Sequence, residues 1–397
     1  MRIGLFTDTY YPELNGVATS VYMLKQELEH LGHDVYVFTT TTPGAPEEEH
    51  NVYRVSSIPC VFITERRMGK LYSHHLASII KKLNLDIIHT HTEFSLGIFG
   101  RIMATELHIP VVHTYHTIYE DYTHYVIPFE TFERGARRVA RRYSKLFCNT
   151  GRQVIVPTDK VKMLLQRYQV EKEIAVIPTG IDLCKFDHTG YTQEMIEEEK
   201  KNLGILPGEK VILYVGRVSH EKNIAELLDG MPQFLEKRED VRFVVIGDGP
   251  ELPVLKQLAQ ELGIAERVIF AGAKPWDKIG LYYALGDVFM SASNSETQGL
   301  TYIEAMAAGL PVVAKKDDCL NHILINGYNG YAFESKEEMC AALDKVLYEQ
   351  NDVQYRTNAL AVVQEYSKET FAKKVERIYQ KQLYLEKPYD WSSRITG

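Results

Sequence analysis

Short apolar runs alternate with longer amphipathic stretches through the N-terminal half of this 397-residue chain. Apolar runs of about four residues are typical of buried strands, whereas apolar positions that recur every three or four residues predict helices. Helices are expected between the strands, as at Val17–Leu31 and Phe94–Glu106. The predicted strands are Ile3–Phe6, Val35–Thr39, Ile87–His89, Val111–Thr114, Leu146–Asn149 and Ile174–Ile177. This alternation predicts a parallel sheet with helices on both faces.

A second alternation of the same kind follows a polar, acid-rich stretch at 189–208. Its predicted strands are Val211–Val215, Arg242–Ile246, Val268–Phe270, Val288–Ser291 and Pro311–Ala314. Its predicted helices are Ala225–Leu235, Pro253–Leu262 and Thr301–Ala308, with a last helix at Lys368–Leu385. The whole pattern predicts an α/β protein with two Rossmann-like, doubly wound parallel-sheet domains.

We expect an N-terminal domain over residues 1–190, a second domain over 191–375, and a C-terminal helix and tail over 376–397 that crosses back to the N-terminal domain. Open parallel sheets bind ligands beyond the carboxyl ends of their strands. The two domains are therefore expected to face each other across a cleft, with the functional residues in the loops that follow the strands.

Composition narrows the classes of function. The net charge is 45 − 53 = −8, which disfavours a general nucleic-acid binder. All of this excess lies in residues 191–397, because residues 1–190 carry 21 basic and 21 acidic side chains. Five cysteines with no Cys-x-x-Cys pair argue against a disulfide framework or a zinc site and predict a cytoplasmic protein. No apolar run approaches roughly 18 residues, so the sequence predicts no membrane-spanning segment.

Two loops that follow predicted strands have features of anion-binding sites. The first strand leads through a polar loop to Gly16 and a helix, where backbone N–H groups can approach an anion. An ordinary strand–helix turn explains that loop equally well. The strand Val211–Val215 leads to Arg217 and Lys222, and such cations beside backbone donors suit a diphosphate, although two solvated surface cations would give the same pattern. The turn at 247–250 is a weaker signal that predicts mainly a chain reversal.

Glu296 and Glu304 lie eight residues apart after another predicted strand. If a helix starts near Gly299, Glu304 lies on its second turn and the N–H groups of Gln298, Gly299 and Leu300 point beside Glu296. Carboxylates accept hydrogen bonds from hydroxyl groups, and backbone N–H groups donate to phosphate, so this pattern suits a phosphorylated, polyhydroxylated ligand. The alternative is that Glu296 caps the helix and Glu304 is solvated, but the apolar neighbours of Glu304 favour a partnered carboxylate.

Together these motifs resemble glycosyltransferase family 4, whose members are retaining enzymes of the GT-B fold. The resemblance covers nearly the whole chain in order and rests on Gly216-Arg217, Glu221-Lys222, the pair Glu296 and Glu304, and Pro178-Thr179-Gly180-Ile181-Asp182. Within the family, the segments Thr7–Pro12 with Gly16-Val17, and His113–Thr117 with Tyr122, are most similar to those of bacterial 1,2-diacylglycerol 3-alpha-glucosyltransferases.

The resemblance implies a UDP-sugar donor. Arg217 and Lys222 would hold its diphosphate, Glu304 its ribose and Glu296 its sugar, while the segment 274–281 would lie beside the base. The implied donor-binding residues are Gly16, Arg217, Lys222, Glu296, Gly299, Leu300 and Glu304. The implied catalytic residues are Glu296, His116, Arg217 and Lys222, with His116 near the donor sugar.

The expected mechanism needs no cofactor beyond the donor. No Asp-x-Asp motif follows a predicted strand, so no metal ligand is assigned, and a divalent cation is neither required nor excluded. No residue is an obvious nucleophile for a double displacement. We therefore expect front-face attack, in which the leaving phosphate oxygen accepts the proton of the acceptor and nearby cations stabilise the leaving charge.

A basic amphipathic segment at 133–147 predicts contact with an anionic membrane surface. Its cations fall within an arc of about 140° and are Arg134, Arg137, Arg138, Arg141, Arg142 and Lys145. Mostly opposite them lie Ala136, Val139, Ala140, Tyr143, Leu146 and Phe147. A second basic cluster comprises Arg66, Arg67 and Lys70 beside Val61-Phe62-Ile63. Each cation near such a surface contributes about 1 kcal/mol, although a helix that packs its apolar face on the sheet and solvates its charges is an equally common arrangement.

The expected function is transfer of a hexose, glucose from UDP-glucose, to the 3-hydroxyl of 1,2-diacylglycerol, by a protein peripheral to the inner face of the cell membrane. One alternative is a soluble, cell-wall or already glycosylated lipid acceptor, and galactose is an alternative to glucose. A nucleotide-sugar-binding protein without turnover is a third interpretation, against which the complete set Arg217, Lys222, Glu296 and Glu304 argues.

Overall fold

The computed structural model describes residues 1–13, 15–59, 67–69, 71–122, 130–349 and 352–386. The chain forms two compact units, one of Met1–Gly180 with Lys368–Gly397 and one of Ile181–Ser367. The change from the first unit to the second thus lies between Gly180 and Ile181, whereas the sequence placed it after residue 190. The return to the first unit is at Lys368, whereas the sequence placed it at residue 376.

The first unit contains a seven-stranded sheet in the order β3-β2-β1-β6-β7-β8-β9, and all its strand pairs are parallel. Its strands are β1 (Arg2–Phe6), β2 (Asp34–Thr40), β3 (Val52–Val55), β6 (Ile87–Thr90), β7 (Val111–Thr114), β8 (Gln153–Val156) and β9 (Glu173–Val176). A separate antiparallel pair is formed by β4 (Ser57–Pro59) and β5 (Arg67–Gly69). The helices are α1 (Gly16–His30), α2 (His74–Leu83), α3 (Ser95–Leu107), α4 (Glu130–Asn149), α5 (Asp159–Arg167) and α13 (Lys368–Glu386).

Helices cover both faces of this sheet because its central strands are apolar on both sides, as parallel sheets require. One face of the sheet packs with α1 and α13, and the other with α2 and α3. The last helix, α13, contributes Phe371, Val375 and Tyr379 to the core shared with α1. The segment that follows the second unit in sequence is therefore part of the first unit's core.

The second unit contains a six-stranded parallel sheet in the order β12-β11-β10-β13-β14-β15. Its strands are β10 (Lys210–Val215), β11 (Val241–Ile246), β12 (Val268–Gly272), β13 (Val288–Ser291), β14 (Val312–Lys315) and β15 (Gly330–Phe333). Its helices are α6 (Gln193–Asn202), α7 (Ile224–Leu235), α8 (Leu252–Glu261), α9 (Ile279–Ala284), α10 (Leu300–Ala307), α11 (Lys336–Tyr348) and α12 (Asp352–Val363). Separate apolar cores lie on its two faces, as in a doubly wound fold.

The prediction of a strand at Leu146–Asn149 is wrong. These residues form the last turn of α4, where Phe147 and Cys148 are buried while Leu146 is exposed. The strand that completes this part of the sheet is β8, whose four residues are all buried. A short apolar run does not distinguish a strand from the end of an amphipathic helix, and here the preceding turns continue through it.

Within the part of the chain that the structure describes, no helix is long and apolar enough to cross a membrane.

Candidate functional site

The loop after β10 carries two of the predicted cations of the second unit. Arg217 follows the strand after Gly216, and its carbonyl accepts a hydrogen bond of 3.0 Å from the hydroxyl of buried Tyr214. Lys222 lies in a short 3₁₀ turn just before α7. The loop therefore places both cations at the carboxyl end of a central strand. In a doubly wound sheet this is where ligands bind.

A glycine turn after β11 supports this loop. A Cβ atom on Gly247 would lie 1.8 Å from the carbonyl oxygen of Gly216, and one on Gly249 would lie 2.1 Å from that of Val218. The N–H of Val218 donates in turn to the carbonyl of Asp248 at 2.9 Å. The turn thus fixes the backbone that carries Arg217, a role beyond the chain reversal that the sequence indicated.

Both cations in the loop after β10 are paired with carboxylates. Arg217 forms an ion pair with Glu221, which also accepts a 2.8 Å bond from the hydroxyl of Ser219. Lys222 Nζ lies 2.5 Å from Oε1 of Glu296. Since Glu296 belongs to the loop between β13 and α10, this ion pair joins two of the predicted motifs.

The N-terminus of α10 lies beside Glu296. Its preceding residue, Gly299, has φ 76°, and a Cβ atom there would lie 2.3 Å from the ring of Tyr302. Glycine meets both demands, because it adopts positive φ readily and has no Cβ. The N–H groups of Leu300 and Thr301 begin the helix, so they have no carbonyl partner within it and can serve an anionic ligand.

Glu304 is buried on the second turn of α10, with 4% of its surface exposed. Its Oε2 accepts a 2.7 Å hydrogen bond from the hydroxyl of Tyr283. Burial raises the pKa of Glu304 to about 7, although the Tyr283 bond and the charge of Lys185 oppose that shift. A partnered carboxylate that titrates near neutrality lies here, not the solvated glutamate of the alternative interpretation.

Lys185 is a functional candidate that sequence reasoning missed. Its Nζ lies 3.4 Å from the centre of the Trp276 ring, a close cation–π contact. Burial lowers the pKa of Lys185 to about 8, against the attraction of Glu304, Asp277 and Asp182. The sequence held two signals, since Lys185 closely follows the predicted Gly-Ile-Asp turn and Trp276 lies in the segment expected beside the base. Only the fold brings them together.

In the first unit, Gly16 begins α1 after a loop that is fixed at two points. The side chain of Asn15 accepts hydrogen bonds from the N–H groups of Val17 and Ala18 and so caps α1. Asp8, just after β1, accepts hydrogen bonds from the hydroxyl of Thr92 at 2.6 Å and from the N–H of Leu96 at 3.1 Å, so it caps α3. Burial raises the pKa of this carboxyl group. Leu14 lies outside the described residues.

His116 follows β7 and lies among histidines from β6 and β7. Its Nε2 is 3.1 Å from Nδ1 of His91. His89 is bonded to the hydroxyls of Tyr379 and Thr114 at 2.6 and 2.7 Å, and His113 to Glu93 at 3.1 Å. Burial lowers the pKa values of His89, His91 and His113 well below the usual range. His89, His91 and His113 are therefore neutral and buried.

The basic helix α4 exposes most of its cations. Arg134, Arg137, Arg138, Arg141 and Arg142 are exposed, and Lys145 is half-buried. Arg141 forms an ion pair with Glu120, an acid from outside the helix that the sequence pattern could not place. Tyr143 and Phe147 face inward, but Val139 and Leu146 are 67% and 66% exposed, so these two are not packed as the alternative arrangement of this helix requires.

The second predicted basic cluster is described only in part. Arg67 donates to the hydroxyl and carbonyl of Ser57 at 2.7 and 2.9 Å. Arg66, Lys70 and the apolar residues at 61–63 lie outside the described residues. In the described ranges, no group of three or more His, Cys, Asp or Glu side chains is arranged to hold a metal ion.

The structure thus brings Lys222 and Glu296 into contact and places Arg217 in the same loop as Lys222. It buries Glu304 beside Tyr283, with the charge of Lys185 in range. Gly16 and His116 belong to the first unit, and all six cations of the membrane-binding prediction belong to α4.

Comparison with known proteins is consistent with these features. Residues 14–185 match the family described as Glycosyltransferase Family 4, and residues 195–360 match Glycosyl transferases group 1. An alpha-monoglucosyldiacylglycerol synthase of Streptococcus pneumoniae is 41% identical over 96% of this chain and 85% of its own length. A protein of the same name from Acholeplasma laidlawii is 37% identical over 96% of each chain.

Solved structures show the same fold at lower identity. The Anabaena protein Alr3699/HepE, crystallised with UDP, superposes with a TM-score of 0.75 and 21% identity over 96% of this chain and all of its own. WaaG, a glycosyltransferase involved in lipopolysaccharide biosynthesis, gives a TM-score of 0.71 and 17% identity over 97% of this chain and 99% of its own.

Proposed function

The chain belongs to glycosyltransferase family 4 and has the GT-B fold, and from this premise we propose that it transfers glucose from UDP-glucose to the 3-hydroxyl of 1,2-diacylglycerol. The observation that carries the proposal is the 41% identity, over 96% of the chain, to a protein named for the synthesis of alpha-monoglucosyldiacylglycerol. The product is a membrane glycolipid with retained configuration at the transferred sugar.

The donor site of the proposal lies in the second unit. Arg217 and Lys222 hold the diphosphate, and the first N–H groups of α10 add donors without a net charge. Glu296 orients Lys222 and accepts hydrogen bonds from hydroxyl groups of the donor sugar. What supports these roles is the 2.5 Å ion pair between Lys222 and Glu296 at the carboxyl end of the sheet.

Glu304 and Lys185 are assigned to the nucleoside part of the donor. The carboxylate of Glu304 accepts hydrogen bonds from the ribose hydroxyls. Because Glu304 is buried, water weakens those hydrogen bonds little. Lys185 and Trp276 bind nearer the base. Gly16 at the leaving phosphate and His116 at the donor sugar are predictions carried by the family resemblance.

In the proposed reaction, charge develops on the leaving diphosphate as the bond to the sugar breaks. Fixed cations and oriented N–H groups stabilise that charge more than they stabilise the intact donor, which lowers the barrier. The acceptor hydroxyl attacks from the same face, and its proton goes to the leaving phosphate oxygen. A divalent cation is not required by this scheme.

The acceptor is lipid, so we propose that α4 binds an anionic membrane surface on the cytoplasmic side. Its exposed arginines supply the attraction, at about 1 kcal/mol per cation. Exposed Val139 and Leu146, on the same side as Arg142, supply apolar contact with the acyl boundary. Charge and apolar surface on one exposed face are typical of helices that lie in a membrane interface.

A product assay tests the proposal. The protein is incubated with labelled UDP-glucose or UDP-galactose and mixed micelles of diacylglycerol with an anionic lipid. Glu296→Ala is the inactive variant, and Glu198→Ala, at an exposed position of α6, is its matched control.

The expected result is a glucolipid that requires anionic lipid, is lost in Glu296→Ala and is unchanged in Glu198→Ala. Formation of a galactolipid instead would overturn the assignment of UDP-glucose as the donor. Transfer to a soluble sugar without transfer to lipid would overturn the assignment of a lipid acceptor. The absence of both transfer and UDP release with every acceptor would overturn the proposed enzymatic activity.

A further inference from the structure

His91 directly follows β6, and its ring contacts those of two other histidines. The ring centroids are 4.0 Å from His89 and 5.4 Å from His116, and 1% of the surface of His91 is exposed. Neighbouring His89 is held on both nitrogens, by Tyr379 of α13 and by Thr114 of β7. This bonded neighbour packs against the His91 ring.

The two nitrogens of His91 have different surroundings. Nδ1 lies 3.1 Å from Nε2 of His116, whereas Nε2 is buried with no hydrogen-bond partner in the described part of the chain. Burial, together with the neighbouring histidines, lowers the pKa of His91 well below its usual range, so the ring is neutral and carries one proton. That proton is on either Nδ1 or Nε2.

The surroundings decide between these two tautomers. A proton on Nε2 would leave a buried N–H without an acceptor, which is rare and costly in folded proteins. A proton on Nδ1 leaves only an unmatched acceptor at Nε2 and makes a hydrogen bond to His116. The second arrangement satisfies the only buried donor of the ring.

We propose that His91 is a positioning residue, which donates from Nδ1 to Nε2 of His116 and thereby holds the proton of the His116 ring on Nδ1. Any bond from the His116 ring to a substrate is then made through Nδ1, as a donor. The inference deepens the proposed function and, for its catalytic meaning, rests on it.

The consequence concerns the path of the proton in glucosyl transfer. The bond between the acceptor oxygen and the sugar carbon forms as the bond from that carbon to the phosphate oxygen breaks. The acceptor proton passes to the leaving phosphate oxygen, which gives UDP. In this scheme His116 supplies a hydrogen bond to a substrate oxygen and takes no proton, since its acceptor nitrogen is occupied by His91.

Nitrogen NMR of the full chain, with ¹⁵N-labelled histidine, tests the tautomer without reference to activity. Signals of His116 are assigned by their loss in His116→Gln. The expected spectrum has a protonated Nδ1 and an unprotonated Nε2 in His116. The opposite pattern would overturn the proposal, whether or not the protein transfers glucose.

Three substitutions then test the positioning role. Asparagine places an amide N–H near the position of Nδ1, so His91→Asn should keep kcat within about threefold of the native value. His91→Gln, which cannot place its amide there, and His91→Ala should each lower kcat by about tenfold, the loss expected for one hydrogen bond, with little change in KM for the donor. His75→Ala, at an exposed position of α2, is the control.

Equal activity of His91→Asn and His91→Gln would overturn the positioning role. Thermal unfolding of both variants shows whether a loss of activity comes from misfolding. Because asparagine and glutamine carry the same amide group, the two variants are expected to have similar unfolding temperatures. If no variant, nor the native chain, transfers glucose, the proposed function fails while the spectrum still decides the tautomer.

Discussion

The Nζ atom of Lys222 lies 2.5 Å from Oε1 of Glu296, although the two residues are 74 positions apart in sequence. Their side chains are 21% and 16% exposed, so water screens the pair only in part. The contact ties the loop after β10 to the loop before α10. A cation and a carboxylate that we assign to the diphosphate and the sugar are thereby held in one arrangement before any donor arrives.

Removal of the Lys222 charge should reduce catalysis more than binding. We expect Lys222→Met to lower kcat by about 10²-fold or more, because a fixed charge that stabilises the leaving group is lost. The measurement is initial-rate UDP release with lipid acceptor. Lys316→Met, whose exposed side chain pairs with Glu334 in the same unit, should leave the rate unchanged. A loss confined to KM would contradict the role in leaving-group stabilisation.

Substitution of Gly247 should damage the donor site through the backbone. In Gly247→Ala, the added Cβ meets the carbonyl of Gly216 at 1.8 Å, and the residue also has φ 146°, so the loop that carries Arg217 must shift. We expect a loss of at least about 2 kcal/mol in the free energy of unfolding and weaker UDP binding. Urea denaturation and calorimetric titration measure the two effects. Gly190→Ala, with open space around its Cβ, should change neither.

Donor affinity should depend on pH through Glu304. Since burial raises the pKa of Glu304 to about 7, its carboxylate becomes protonated as the pH falls through that value and loses acceptor capacity for the ribose hydroxyls. We expect the Kd of UDP-glucose to rise between about pH 8 and about pH 6. The diphosphate of UDP-glucose stays ionised throughout this range, so its own titration does not interfere.

The variant Glu304→Gln supplies the control for that titration. It should bind the donor more weakly than the native chain at high pH and show no titration near neutrality. Its unfolding free energy provides a second check, because ionisation of a buried carboxyl with a raised pKa destabilises the native state as the pH rises from the unfolded pKa to about 7. The stability of Glu304→Gln relative to the native chain should therefore increase across that window and level off above it.

Membrane attachment should depend on α4. We expect Arg138→Glu combined with Arg142→Glu to weaken binding to vesicles that contain anionic lipid by about tenfold or more, as attraction becomes repulsion at two positions. The native affinity should fall with added salt. Co-sedimentation with vesicles measures both. Lys81→Glu combined with Lys82→Glu makes the same change of charge on α2, and an equal loss there would show that net charge rather than α4 governs binding.

The sequence alone predicted most of the fold, because burial imposes period and length on strands and helices directly. Most of the predicted strands and the GT-B architecture are present, and the motif residues Arg217, Lys222, Glu296 and Glu304 follow the strands to which they were assigned. The sequence failed at Leu146–Asn149, where a short apolar run fits both a strand and a helix end. Such a run carries no information on its neighbours in space, and these decide between the two.

Tertiary structure alone decided what depends on distance between remote segments. The carboxyl ends of neighbouring parallel strands meet at one edge of a sheet, which brings Lys222 to Glu296 and leaves room at Gly216 only for glycine at position 247. The contacts of Lys185 with Trp276 and of His91 with His116 likewise join segments that are remote in sequence. Local sequence determines which groups are present and which element carries them. Their pKa values, tautomers and partners depend on burial and on contacts that form only when the chain is packed.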